Sequence, residues 1–120
     1  MATRGVKTDV RNYEMLINGK WESSSSGKTL PVYDPSTEEV IATVPDANGK
    51  DIDRAVAAAR AAFEGPWGQT TPVERGRVLF RLADRIRKDA AKLAELECRN
   101  TGKPIVEAEY DIADAAGCFE

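Results

Sequence analysis

The sequence predicts an α+β arrangement, small antiparallel strands followed by about four helices, and three observations carry that expectation. Asn18-Gly19 separates two short runs with apolar character, which is the residue pair a tight hairpin needs. From Asp51 onward the apolar residues change from a spacing of two to helical spacing. Thr71-Pro72-Val73-Glu74 reads as a capping box with proline in the first helical turn.

Residues 1–14 are polar and unpatterned, and they read as a flexible tail. Order is expected from Met15-Leu16-Ile17, with a return strand opening at Lys20-Trp21. Ser23-Ser24-Ser25-Ser26-Gly27 reads as a surface loop. Thr29 to Tyr33 forms the next strand, and Asp34-Pro35-Ser36-Thr37 turns it back into Glu39 to Val44, with Val40, Ala42 and Val44 on one side. The first helix carries Ile52, Ala55, Val56, Ala59 and Phe63 in a stripe and stops at Gly65-Pro66. The second follows the capping box with Val78, Leu79, Leu82, Ala83 and Ile86. A third, capped by Asp89 and carrying Leu93 and Leu96, ends at Asn100-Thr101-Gly102 ahead of Pro104. The fourth opens near Ile105. Its apolar positions, Ala108, Ile112, Ala115, Ala116 and Phe119, are still recurring at Glu120, so the chain is expected to be the front of a longer protein, truncated within its last helix.

Composition narrows the function classes. Seventeen basic against twenty acidic residues, net charge −3, leave no polycation for a nucleic-acid backbone. No segment has membrane-spanning length. The N-terminal residues include Arg4, Lys7 and Arg11 without the apolar stretch of a secretory signal, so the expected location is cytoplasmic, with a short organelle-targeting extension as the alternative. Much of the apolar content is alanine, so the helix faces are thin and suited to covering another surface.

Chemistry has few candidates. Histidine is absent, which removes the commonest neutral-pH base. Cys98 lies near a helix C-terminus, where the dipole disfavours a thiolate, and Cys118 lies beside an apolar face, so packing is the expected role of each. Asp111 and Asp114 share a side of the fourth helix, with Glu107 one turn earlier. That spacing suits a cation or an acid/base pair, but a solvated outer face is the commoner arrangement. The arginines from Arg75 to Arg87 read as ion-pair partners, Trp67 as a turn anchor, and Gly102-Lys103-Pro104 as a helix stop.

Five blocks occur in an order and spacing that resemble a known family. They are Met15-Leu16-Ile17-Asn18-Gly19-Lys20-Trp21, Asp34-Pro35-Ser36-Thr37-Glu38-Glu39-Val40-Ile41, Asp51 to Val56 with Ala58 to Phe63, Arg75-Gly76-Arg77 with Leu82-Ala83-Asp84, and Thr101-Gly102-Lys103-Pro104. Together they resemble the amino-terminal portion of the NAD(P)-dependent aldehyde dehydrogenases. Asp111-Ile112 followed by Gly117-Cys118-Phe119-Glu120 resembles the betaine-aldehyde and aminoaldehyde branch.

The resemblance implies an α/β parent with a Rossmann-like cofactor domain, of which residues 15–120 are an incomplete amino-terminal part. It implies oxidation of an aldehyde to the acid with NAD or NADP, and a homodimeric or homotetrameric parent. The family's nucleophilic cysteine, glutamate and oxyanion-hole asparagine lie beyond the position matching Glu120. Neither Cys98 nor Cys118 matches the nucleophile, so no catalytic or cofactor-binding residue is expected in this stretch, and the chain by itself is expected to be inactive. The resemblance also implies a structural potassium or sodium ion held by the backbone carbonyls of Val32 and Tyr33 and the carboxylate of Asp111, with a further carbonyl from the chain beyond. The competing expectation is a non-enzymatic structural or protein-interaction fragment.

Overall fold

The computed structural model describes residues 10–120. It divides into two compact units, Met1–Phe63 and Glu64–Glu120. The part of the expected tail at residues 1–9 lies outside the described residues.

In the first unit, β1 (Arg11–Asn12), β5 (Val40–Pro45) and β4 (Thr29–Tyr33) form a sheet in that order, while β2 (Met15–Ile17) and β3 (Lys20–Glu22) form a separate hairpin. The hairpin forms because Asn18 and Gly19 both adopt positive φ, 52° and 73°, as a tight two-residue turn requires, and this sets Ile17 opposite Lys20. Order begins earlier than the sequence suggested. Arg11 pairs with Ala42 and Asn12 with Thr43 in a parallel ladder, so the sheet is mixed rather than wholly antiparallel. Thr43 Oγ1 donates to Asn12 Oδ1 at 2.7 Å and the Tyr13 amide donates to the Thr43 carbonyl at 2.9 Å. These residues meet through backbone and polar side-chain groups, which hydropathy does not register.

β5 is central in this sheet, and its position changes which residues are buried. Ile41 and Ala42 are buried, whereas Val40 and Val44 are half-covered, in place of the one-sided Val40, Ala42, Val44 pattern. The β4–β5 turn follows from Asp34: its Oδ1 accepts from the Ser36 amide at 2.9 Å and from the Ser36 hydroxyl at 2.6 Å. Helix α1 (Gly49–Glu64) completes the unit.

The second unit opens on a short 3-10 turn, Pro66–Gln69, and continues as α2 (Pro72–Lys88), α3 (Ala90–Thr101) and α4 (Ile105–Gly117). The capping box at Thr71 is complete: the Thr71 Oγ1 accepts from the Glu74 amide at 3.2 Å, and the Glu74 carboxylate accepts from the Thr71 amide at 2.7 Å. Asp89 does not cap α3 with its side chain as expected. Its carboxylate instead accepts from Arg85 Nε at 2.6 Å, because Arg85 stands one turn back on α2. α3 ends where Gly102 adopts a left-handed φ of 76°. The core here is Ala83, Ala94, Ala108 and Ala116, one or two from each helix and all fully buried. Side chains this small let helix backbones approach closely.

Candidate functional site

The largest fully buried side chain among the described residues is that of Asp51. Its position begins with Asn48, whose Oδ1 accepts from the Lys50 amide at 2.9 Å and thereby caps α1. Asp51 reaches back and accepts from the Asn48 amide at 3.1 Å. The serine loop closes over the same carboxylate. The Ser24 hydroxyl lies 2.9 Å from Oδ2, and the Ser25 amide lies 3.1 and 3.2 Å from the two oxygens. Ser24 is itself buried, so the run that read as a surface loop contributes an inward-pointing residue. The Asn48 amide holds the Asp51 carboxyl down at about 2, against burial that raises it, with the Ser25 and Ser24 donors adding to the lowering. Arg54 Nη2 stands 2.7 Å from Glu22 Oε2 and joins α1 to β3. With every donor spent on an ionised carboxylate, Asp51 is an anchor and has no free proton to offer catalysis.

An open cleft of about 380 Å³ lies between Leu16–Gly19 and the α1 alanines Ala55, Ala58, Ala59 and Ala62. No titratable side chain lines it. Val32 and Tyr33, the carbonyl pair implied as cation ligands, are consecutive in β4, and the ladder with β5 shifts register between them. Such an irregularity disturbs the even pairing of backbone groups.

Asp111 belongs to the second unit, on α4, and there it has a partner. The Lys103 ammonium is in direct contact with Asp111 Oδ2 and lies 2.7 Å from Glu97 Oε1 on α3. The turn makes this possible. Left-handed Gly102 ends α3, Pro104 opens α4, and Lys103 between them reaches one carboxylate on each helix. The Asp111 pairing first, and Glu97 second, hold the lysine's proton above the ordinary lysine range. The Asp111 Oδ2 implied as a cation ligand is therefore already in contact with a cation supplied by the chain, the Lys103 ammonium. Among the described residues no group of three or more His, Cys, Asp or Glu side chains could hold a metal.

The remaining candidates separate from one another. Cys98 is half-buried near the end of α3, and Cys118 is exposed just past α4, so the expected packing role does not extend to Cys118. The turn at Trp67 is closed by the backbone, the Trp67 carbonyl accepting from the Thr70 amide and hydroxyl at 3.1 and 2.7 Å, while the ring expected to anchor it is exposed. Arg87 forms the ion pair expected of its segment, bidentate to Glu120 at 2.6 and 2.7 Å. What sequence reasoning missed was the Ser24–Asp51 anchor and the Lys103 bridge. Asn48 three residues before Asp51 was a usable signal for half of the first, since that spacing is a capping pattern.

Residues 21–120 match the model of the aldehyde dehydrogenase family. The aldehyde dehydrogenase of Emericella nidulans is 45% identical over 118 residues, covering 95% of this chain and 24% of that protein. Aldehyde dehydrogenase family 2 member B4 of Arabidopsis thaliana, a mitochondrial protein, is 51% identical over 96 residues, covering 79% of this chain and 18% of its own length. A solved structure of a Staphylococcus aureus betaine aldehyde dehydrogenase variant, in complex with NAD+, has a TM-score of 0.86 at 37% identity, over 88% of this chain and 22% of that one. The chain therefore spans a quarter or less of each of these relatives. No helix among the described residues is long and apolar enough to cross a membrane.

Proposed function

Because this chain belongs to the aldehyde dehydrogenase family, we propose that it serves as the leading structural segment of an enzyme that oxidises an aldehyde to the carboxylic acid with NAD+ or NADP+. The observation that carries this reading is the match over residues 21–120, which takes in both units. The NAD+ complex of the Staphylococcus aureus relative supports NAD+ as the oxidant. Betaine aldehyde or an aminoaldehyde is the proposed substrate class. Its support is the Gly117-Cys118-Phe119-Glu120 ending together with the likeness to the betaine aldehyde dehydrogenase.

The segment's own contribution is shape. Its buried Asp51 carboxylate is committed to anchoring, and both thiols are free. The parent is proposed to be a homodimer or homotetramer. The second reading, a non-enzymatic interaction fragment, is favoured by one observation: large apolar residues such as Phe63, Phe80, Val106 and Tyr110 are more than half exposed.

The test expresses this segment both alone and within the longer protein proposed here and follows reduced nicotinamide with betaine aldehyde, an aminoaldehyde and a simple aliphatic aldehyde. Turnover by the extended protein and none by residues 1–120 alone is the expected result. No turnover with any aldehyde overturns the oxidoreductase reading, and preference for the aliphatic aldehyde overturns the substrate class alone.

A further inference from the structure

The connection between α3 and α4 is short, and a positive charge sits at its centre. Gly102 and Pro104 leave Lys103 no choice but the corner, the one by a left-handed φ of 76° and the other by its fixed φ of −58°. From that corner Nζ contacts Asp111 Oδ2 two turns into α4 and lies 2.7 Å from Glu97 Oε1 on α3. The corner is itself braced, because the Thr101 hydroxyl donates to the Glu97 carbonyl at 2.8 Å. The lysine is the less exposed partner of the Asp111 pair.

We propose that Lys103 is a built-in counter-ion that occupies the place of a free monovalent cation at Asp111, so that this carboxylate is neutralised by the chain itself. The physical argument has two parts. A primary ammonium offers one positive charge and three donors to oxygen ligands, the same charge and the same ligand preference as potassium. Being tethered eight residues from Asp111, it also acts at an effective concentration that a free ion in dilute solution does not reach. A second cation at the same oxygen would meet like-charge repulsion from Nζ. The inference uses residues of the second unit alone and is independent of which aldehyde the parent oxidises.

The test is NMR of the Lys103 side-chain ammonium in the whole chain, titrated with potassium against tetramethylammonium at equal ionic strength. A hydrogen-bonded ammonium is protected from exchange, so its resonance is expected to be visible, to persist unchanged in potassium and to shift in Asp111→Asn, where Glu97 alone still holds it. Loss or displacement of the resonance in potassium but not in tetramethylammonium overturns the proposal. An unshifted resonance in Asp111→Asn overturns it as well. Should that variant fail to fold, the potassium titration of the unaltered chain decides alone.

Discussion

Asp51 concentrates the residue-scale physics of this chain. A carboxylate buried beside Ser24 and Asn48 survives as an anion because amide and hydroxyl donors replace its lost water. Its proton affinity is lowered in the folded state, from an ordinary 3.8 to about 2. The sign follows: the stabilisation is full above the unfolded value and is lost as pH falls through the folded one. Unfolding by urea is therefore expected to become easier for the native chain on going from about pH 5 to about pH 2. Asp51→Asn should be less stable than the native chain at neutral pH, and the difference should shrink across that acid window. An equal difference at both ends would remove Asp51 from the account. Half of this anchor was legible, since Asn48 and Asp51 have capping spacing. The other half was not, because Ser24 lies 27 residues earlier and nothing local ties a polar run to a distant carboxylate.

Among the elements, those with a chemical reason at their ends matched expectation best. α2 begins where Thr71 and Glu74 exchange hydrogen bonds, and the β2–β3 turn falls on Asn18-Gly19. Both depend on residues within four positions of each other, so the sequence contains the whole cause. Asp89 shows the opposite case, an N-cap residue by type whose carboxylate was taken by Arg85. Thr71→Ala is expected to lower stability by about 1 kcal/mol, since an amide of the first turn loses its acceptor. Chemical denaturation followed by helical circular dichroism reads it, and an unchanged midpoint would mean that α2 holds without its cap.

At the scale of the molecule, the buried apolar residues among those described are few and small relative to the ones left in water. Ile17, Ile41 and Ala42 serve the first unit and four alanines the second, while Phe63, Val106 and Tyr110 are 66, 68 and 75% exposed. Burying alanine releases little free energy for the chain entropy it must offset. The 120-residue chain alone is accordingly expected to be weakly folded or to self-associate. Sedimentation and calorimetry check this, and a monodisperse monomer with a sharp transition would show that the two small cores suffice.

By itself the sequence determined the β2–β3 hairpin, the four helices and the α2 capping box, because these rest on residue types at short spacing, and five ordered blocks carried the resemblance to the family. The tertiary structure alone decided the parallel pairing of β1 with β5, the burial of Ser24 over Asp51, and the Lys103 bridge from Glu97 to Asp111. These are meetings between polar groups far apart in the chain or on different elements. Hydropathy periodicity records which residues avoid water, and it is blind to which donor will find which acceptor.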